Sequence, residues 1–288
     1  MWQQNQDMEM YTPVIDLTGK VAIVTGATKG MGAAISEIFA RSGARIVLTS
    51  RTAVDGETMA TSLNERYGSG KTIAAAQSGN LEKKAELQAV VDKAIEFFGR
   101  IDVLVCVPSI RPWFGSSIET PDDEIDRQFT AIFKSRFWIT SMCIPHMIQA
   151  GGGSVIYIGS GSAFEATSER STYACVRAAE AQLMRNFAAE FGGQNIRVNT
   201  IAPSLIQSHG SAALFQDAST VSMIAAGLPM RRHGTTNEIA AAAAFLASDA
   251  SSFTTGTVLP VDGGRHLHAV PTRLTKVFAN EQATRLKS

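Results

Sequence analysis

The chain reads Val21-Ala22-Ile23-Val24-Thr25-Gly26-Ala27-Thr28-Lys29-Gly30-Met31-Gly32 near its start, and this stretch decides the fold. Its first four residues are apolar, which predicts a buried strand. A glycine-rich turn follows, and a helical pattern runs from Met31 to Ser42. Glycine lets a pyrophosphate approach the backbone, and the free N–H groups of a helix start attract its charge. A purely structural tight turn is the alternative. We predict a dinucleotide-binding turn that uses Gly26, Lys29, Gly30, Met31 and Gly32.

Short apolar runs alternate with longer helical patterns along the rest of the chain. This alternation is typical of a parallel sheet that is covered by helices on both faces. The predicted strands are Val21–Thr25, Arg45–Thr49, Thr72–Ala76, Val103–Val107, Ser154–Ile158, Arg197–Ala202 and Val258–Val261. The predicted helices are Met31–Ser42, Glu57–Tyr67, Glu82–Phe98, Asp123–Gln149, Thr172–Phe191 and Asn237–Ser248. The fold class is therefore α/β, with a doubly wound (Rossmann) seven-stranded parallel sheet in a single domain.

We place this domain at residues 17–264, between an N-terminal extension (1–16) and a C-terminal tail (265–288). Residues 204–232 form a long excursion between a strand and a helix. Their apolar residues predict an ordered substrate lid, because a disordered loop would be more polar. These residues are Leu205, Ile206, Leu214, Phe215, Met223 and Ile224.

Composition excludes several classes of partner. The formal net charge of the 288 residues is +0, which gives no electrostatic reason to expect nucleic acid or an anionic membrane. The longest apolar run, Ile239–Ala247, is far shorter than the roughly 18 residues that span a bilayer. Cys106, Cys143 and Cys175 lack metal-ligand spacing, so no metal site is predicted. The first residues lack a secretory signal. We predict a cytoplasmic protein that acts on a small molecule.

The second predicted strand ends at Thr49-Ser50-Arg51, where dinucleotide-binding folds select their cofactor. An acidic residue here would bind the ribose 2′-hydroxyl of NAD, but neither Ser50 nor Arg51 is acidic. Arg51 together with Lys29 suits a 2′-phosphate, because a guanidinium matches phosphate geometry. We predict NADP(H) in preference to NAD(H). The alternative is that Arg51 is only a solvated surface charge.

The glycine turn, Tyr173 and the closing stretch Thr255-Gly256-Thr257-Val258-Leu259-Pro260-Val261-Asp262-Gly263-Gly264 resemble the short-chain dehydrogenase/reductase family. The resemblance runs from Leu17 to Gly264. In that family a serine and a tyrosine thirteen positions apart bind the substrate oxygen, and Ser160 and Tyr173 have that spacing (173 − 160 = 13). It implies that Tyr173 is the acid–base group; Ser162 fits the spacing of the serine less well. The family's Asn-Ile-Arg-Val-Asn motif matches residues 195–199.

The resemblance also implies further cofactor contacts. Asn80, followed by Leu81, stands where the family has an aspartate near the adenine. Cys106 lies near the end of the fourth predicted strand and Pro203 follows the sixth, both toward the nicotinamide, and Tyr173 and Arg177 are expected at its ribose. Family members usually pair their two long helices across a subunit interface, so a homotetramer or homodimer is expected through Asp123–Gln149 and Thr172–Phe191.

The departures from the family pattern lie at the chemistry. Cys106-Val107-Pro108-Ser109 replaces Asn-Asn-Ala-Gly, Ile132 replaces an asparagine that holds a proton-relay water, and Ser204 replaces a glycine. Arg177 replaces the lysine of Tyr-x-x-x-Lys. Residues four apart share a helix face, so Arg177 brings a permanent cation to Tyr173 and favours its phenolate form. Arginine does not release a proton near neutrality, so a proton relay through Arg177 is not expected.

Ser160, Tyr173 and Arg177 also resemble the set of the halohydrin dehalogenases, which form epoxides without nicotinamide. Those enzymes fill the glycine turn with a bulky aromatic residue, whereas this chain keeps Gly26, Gly30 and Gly32. We therefore favour an oxidoreductase that interconverts a carbonyl and an alcohol. A redox-neutral elimination, and a nucleotide-bound protein with little catalysis, are the alternatives.

The loops after the fourth and fifth predicted strands should face the nicotinamide end. Together with the lid they indicate a mostly hydrophobic substrate. The alternative is that Trp113 and Phe114 pack under the lid or at an interface. The loop residues concerned are Arg111, Pro112, Trp113, Phe114, Phe164 and Glu165.

Overall fold

The computed structural model describes residues 15–108, 110 and 112–267. Most of the predicted extension 1–16 and tail 265–288 lies outside these residues, as do Ser109 and Arg111. The strands are β1 (Val21–Val24), β2 (Arg45–Ser50), β3 (Ala74–Ser78), β4 (Val103–Cys106), β5 (Gly153–Ile158), β6 (Ile196–Pro203), β7 (Ile206–Gln207), β8 (Gly234–Thr235) and β9 (Val258–Val261).

The helices are α1 (Gly30–Arg41), α2 (Ala53–Tyr67), α3 (Lys84–Phe98), α4 (Asp122–Gln128), α5 (Ser135–Gln149), α6 (Ser171–Phe191), α7 (Ala218–Ala226) and α8 (Thr236–Ala247). A six-residue π segment, Phe129–Lys134, joins α4 to α5.

Seven strands form one sheet in the order β3-β2-β1-β4-β5-β6-β9, and every pairing is parallel. Helices α1, α2 and α8 cover one face, and α3, α5 and α6 cover the other. The side chains of β1 alternate between the two cores: Ala22 and Val24 point to the first, and Ile23 to the second. The predicted doubly wound fold is confirmed.

Three differences between predicted and observed elements are informative, and the other predicted elements differ by at most two residues at an end. Helix α2 begins at Ala53 rather than Glu57, so the acidic residue Asp55 lies in its first turn. The third strand is Ala74–Ser78 rather than Thr72–Ala76, because its ladder with β2 continues to the pair of Ser50 with Ser78 although the apolar run has ended. The predicted helix Asp123–Gln149 is observed as α4, the π segment and α5. The residues of the π segment have the composition of an ordinary helix, so the sequence does not mark the interruption.

Residues 204–232 contain β7 and the helix α7, which the sequence did not predict. The side chain of Asp217 caps α7 and accepts hydrogen bonds from the N–H groups of Ser219 and Thr220. Strand β7 pairs with β8 outside the main sheet. The excursion therefore contains regular secondary structure, while its function as an ordered lid stays a prediction.

Candidate active site

A cavity of about 560 Å³ opens between β1 and β4, at the carboxyl edge of the sheet. The order of the strands reverses at this point, and open α/β sheets bind ligands in this crevice. We call it the β1–β4 cavity. Its lining residues are Gly26, Thr28, Lys29, Gly30, Met31, Ser50, Arg51, Thr52, Asp55, Val107, Pro108, Ile110, Ser208, His209 and Gly210.

The glycine turn forms the floor of this cavity. A Cβ atom at Gly32 would lie 2.0 Å from the carbonyl oxygen of Gly26, so only glycine fits there. Gly30 has a φ of +57°, and a Cβ on it would face Ser208 at 3.6 Å. Thr25 fixes the turn to the next strand, because its Oγ1 accepts from the N–H of Val107 at 2.9 Å. Sequence and tertiary contacts together keep the backbone of the turn open to a ligand.

The two cations predicted to suit a 2′-phosphate, Arg51 and Lys29, have different surroundings in the structure. Lys29 and Arg51 both line it, but the Nζ of Lys29 binds the carboxylate of Asp55 at 3.0 Å. The hydrogen bond from Lys29 is the main cause that lowers the pKa of Asp55. Arg51 is exposed and forms no ion pair with another described residue. Among the described residues that line the cavity, Arg51 is thus a cation without a carboxylate partner.

Sequence reasoning missed Asp55 and the residues from the lid side. Asp55 precedes the predicted helix, which starts at Glu57, and nothing local marks it as a site residue. Ser208 and His209 follow β7 and come back over the turn, since the backbone N–H of His209 lies 3.7 Å from a Cβ built on Gly30. Only the tertiary structure brings them to the cavity.

Six predicted cofactor residues beyond the glycine turn lie outside the cavity lining: Asn80, Leu81, Cys106, Pro203, Tyr173 and Arg177. Asn80 faces the start of α3: its side chain accepts from the N–H of Glu82, and its own N–H donates to Glu86. Leu81 is buried in the core. Pro203 pairs with β9 at the end of β6. Their contacts with a cofactor, like that of Cys106, stay predictions.

Cys106 is an inert thiol in this structure. It ends β4 and is 2% exposed. Burial raises the pKa of Cys106 to about 12, mainly because a thiolate would lose its hydration there. The side chain therefore stays protonated at neutral pH and supplies no nucleophile.

The structure places Ser160 and Tyr173 on two adjoining elements. Ser160 follows β5 and its Oγ accepts from the N–H of Ser162 at 3.2 Å. Tyr173 lies in the first turn of α6 and is half-buried. The guanidinium carbon of Arg177 is 5.0 Å from the centroid of the Tyr173 ring. The predicted approach of Arg177 to Tyr173 is thus present.

Arg177 belongs to a cluster that the sequence did not predict, the buried ion triad of Arg136, Glu180 and Arg177. One carboxylate oxygen of Glu180 accepts from Nη1 of Arg177 and the other from Nε of Arg136, both at 2.7 Å. All three side chains are 1% exposed. Burial opposes the charge on Arg177, but Glu180 and Tyr173 outweigh it and hold its pKa above the ordinary value.

Ile132 lies in the π segment and is fully buried. Its side chain has no donor or acceptor, so no proton can pass through it. The neighbouring carbonyl oxygen of Ala131 accepts from Nη1 of Arg136 at 2.9 Å. The polar group next to this position is therefore engaged by the buried ion triad.

Two comparisons with known proteins identify the family. A family profile described as enoyl-(acyl carrier protein) reductase matches residues 26–266. The dehydrogenase/reductase SDR family member 4 of Oryctolagus cuniculus is 34% identical over 248 residues, which are 86% of this chain and 94% of that protein. The chain belongs to the short-chain dehydrogenase/reductase family. Members of this family are oxidoreductases, and the chain is an enzyme of that kind.

Solved short-chain dehydrogenase/reductase structures share the whole fold. A gluconate 5-dehydrogenase from Burkholderia cenocepacia J2315, in complex with NADP and tartrate, has a TM-score of 0.82 at 27% identity; the match covers 89% of this chain and 98% of that one. A 7α-hydroxysteroid dehydrogenase in complex with NADH and 7-oxo glycochenodeoxycholic acid has a TM-score of 0.81 at 31% identity, with 88% and 98% covered. The first of these structures contains NADP and the second contains NADH.

In the part of the chain that the structure describes, no helix is both long enough and apolar enough to cross a membrane.

Proposed function

We propose that this chain is an NADP(H)-dependent oxidoreductase that interconverts a carbonyl and an alcohol on a mostly hydrophobic small molecule. The β1–β4 cavity carries the proposal, because it combines an intact glycine turn with the strand reversal at which this fold binds dinucleotides. The close approach of Gly32 to Gly26 would suit a tight turn of any function, so the exposure of the turn to an open cavity is the feature that favours a bound ligand.

The residues present fit a dinucleotide. The turn from Gly26 to Gly32 and the N-terminal end of α1 would hold the pyrophosphate through backbone N–H groups. Arg51 would bind the 2′-phosphate, and Ser208 and His209 would close over the turn from the opposite wall. When bound, the nicotinamide supplies or accepts the hydride. The relative affinity for NADP(H) and NAD(H) depends on two opposite charges in the lining: Arg51 would attract a 2′-phosphate, and Asp55 would repel it.

The protein's own contribution is proton transfer and orientation. Ser160 would hold the substrate oxygen, and Tyr173 would donate its proton to that oxygen in reduction or accept the hydroxyl proton in oxidation. A half-buried phenol above a permanent cation suits both directions, because the cation stabilises the phenolate that forms after donation. Arg177 supplies that charge from beneath the ring.

Aromatic residues support a mostly hydrophobic substrate. Phe114 is 64% exposed and Phe164 is 52% exposed, so large apolar rings face solvent on the two loops that follow β4 and β5. Phe114 stacks on the guanidinium of Arg170, with 5.6 Å between Cζ and the ring centroid. An exposed aromatic surface beside the reacting groups favours an apolar ligand over a sugar acid.

An apolar surface on α5 and α6 supports the predicted homotetramer or homodimer. Ile144, Ile148, Phe187 and Phe191 line a shallow depression there. Ile148 and the nearby Phe137 are both exposed in the monomer. Pairing of these helices between two copies would bury this surface.

The three cysteines are free thiols, which suits the reducing cytoplasm that we propose as the location.

Turnover of a panel of cyclic and aromatic ketones with NADPH tests the proposal. We expect Tyr173→Phe to lower the turnover by at least about 10²-fold while the dinucleotide Kd is unchanged, because the ring stays and only the proton donor is lost. Tyr67→Phe is the matched control, since Tyr67 bonds to Glu37 on the α1–α2 side of the sheet. Unchanged activity in Tyr173→Phe would remove Tyr173 from the mechanism.

The contact of Arg177 with Tyr173 keeps a redox-neutral elimination as the second candidate. In that reaction Tyr173 would remove the proton of a vicinal haloalcohol, and the alkoxide would displace halide to form an epoxide. Halide release from such a substrate without any nucleotide would replace the first proposal by the second.

A further inference from the structure

The buried ion triad consists of two arginines and one glutamate, so it carries one net positive charge inside the protein. Burying charges costs free energy, and a buried ion pair is weak support for stability compared with apolar residues of similar size. A triad at the reacting tyrosine therefore calls for a functional explanation. Its charge lies directly under Tyr173, at 5.0 Å from the ring centroid to Arg177.

The contacts of Arg177 fix which way its guanidinium faces. Nη1 donates to the carboxylate of Glu180 at 2.7 Å and to the carbonyl oxygen of Ile158, at the end of β5, at 3.2 Å. These two acceptors hold the side chain against α6 and β5. The side chain is 1% exposed and does not line the β1–β4 cavity. Nη1 of Arg177 is therefore committed to Glu180 and Ile158, whereas its buried Nε has no hydrogen-bond partner among the described residues.

Glu180 is itself held from the opposite side. Arg136 donates from Nε to the second oxygen of Glu180, and from Nη1 to the carbonyl oxygen of Ala131 and to Oγ of Ser135. Ala131 belongs to the π segment, so the irregular part of the helix positions Arg136. A continuous set of contacts therefore runs from the π segment through Arg136 and Glu180 to Arg177.

We propose that Glu180, oriented by Arg136, is a positioning residue that holds Arg177 beneath Tyr173, so that Arg177 acts on the phenol and not on the cofactor. This inference rests on the proposed role of Tyr173. Loss of the Glu180 charge would leave two buried arginines without a counter-ion. Their repulsion would be relieved when Arg177 turns toward the cavity and solvent, which would remove the cation from the underside of the ring.

Chemical modification of arginine tests this geometry without any turnover. Phenylglyoxal reacts with accessible guanidinium groups, and mass spectrometry of peptides locates the product. We expect Arg177 to be protected in the native protein and modified in Glu180→Gln. Arg197, which is held by Leu246, Ser248 and Ser251 far from the triad, is the internal reference for an intact fold. Protection of Arg177 in Glu180→Gln as complete as in the native protein would overturn the inference.

Kinetics supply the second measurement. We expect Glu180→Gln to lower kcat by at least about tenfold while the dinucleotide Kd stays within about twofold, and Glu180→Asp, which keeps the charge, to restore part of kcat. Glu190→Gln is the control, because Glu190 is an exposed glutamate on the same helix. A parallel rise of the Kd in Glu180→Gln would instead show that Arg177 binds the cofactor.

Two further provisions keep these outcomes distinct. If Glu180→Gln fails to fold, Arg136→Gln replaces it: this variant leaves the neutral pair of Glu180 with Arg177, and we expect partial modification of Arg177 and a smaller loss of kcat. Full protection of Arg177 and unchanged kcat in Arg136→Gln would contradict the role of Arg136. Absence of nucleotide binding in the native protein would refute the proposed function alone, since the protection of Arg177 does not depend on it.

Discussion

Substitution of Gly32 by alanine should disable the nucleotide site through one contact. The added Cβ would lie 2.0 Å from the carbonyl oxygen and 2.8 Å from the carbonyl carbon of Gly26. Carbon and oxygen atoms normally approach to about 3.3 Å even in the shortest favourable contacts, so the overlap exceeds an ångström. Both partners are main-chain atoms, and no side-chain rotation can relieve the clash.

The turn has little freedom to move away. The N–H of Ala27 donates to Thr49 at 3.0 Å, and a Cβ at Gly26 would already lie 3.3 Å from the carbonyl oxygen of Val107. Overpacking typically costs about 1–3 kcal/mol, and a main-chain clash belongs at the upper end. For a domain of this size, about 3 kcal/mol lowers the Tm by about 6–12 °C. A displaced N–H group also loses a charge-assisted hydrogen bond, which weakens dinucleotide binding by at least about tenfold.

Thermal unfolding and calorimetric titration of NADPH measure the two effects of Gly32→Ala. Gly193→Ala is the control, because a Cβ there meets no atom within 4 Å and its φ is not positive. We expect the control to bind NADPH as the native chain does. Native-like Tm and Kd in Gly32→Ala would refute the assignment of this turn as the pyrophosphate site.

Two further substitutions test the charges at either end of the site. Asp55→Ala should tighten NADP(H) binding by about threefold, because it removes a carboxylate and frees Lys29 for a phosphate. NAD(H) binding should show no such gain. Equal changes in the two Kd values would count against a 2′-phosphate subsite at Arg51. Arg177→Lys alone should raise kcat by less than about tenfold, because Ile132 still offers no relay. A larger gain, measured as steady-state ketone reduction, would show that Ile132 and Cys106 do not limit turnover.

The sequence predicted the strand–turn–helix unit well because its signals are local. Apolar β-branched residues, glycines and a helical period within Val21 to Ser42 each depend on neighbours in the chain. The approach of Arg177 to Tyr173 follows from helical spacing in the same way. Such features need no knowledge of the tertiary structure.

Features that depend on distant partners could not be predicted. Arg136 and Glu180 are 44 residues apart, and nothing in either segment shows that their charges meet inside the protein. Of the two, only Glu180 has a local feature that could have pointed to it, because it is an acidic residue three positions after Arg177 on a mostly apolar helix face. The π segment has the composition of an ordinary helix. Asp55 lies outside the predicted helix, because the predicted start at Glu57 is four residues after the observed start at Ala53 (57 − 53 = 4).

The central claim is that the β1–β4 cavity binds a nicotinamide dinucleotide. Calorimetric titration of the native chain with NADP(H) and NAD(H), in parallel with Gly32→Ala, tests it most directly. We predict micromolar binding of NADP(H) to the native chain, weaker binding of NAD(H), and a loss of at least about tenfold in Gly32→Ala. Absence of binding by either dinucleotide would contradict the redox function and favour the redox-neutral elimination.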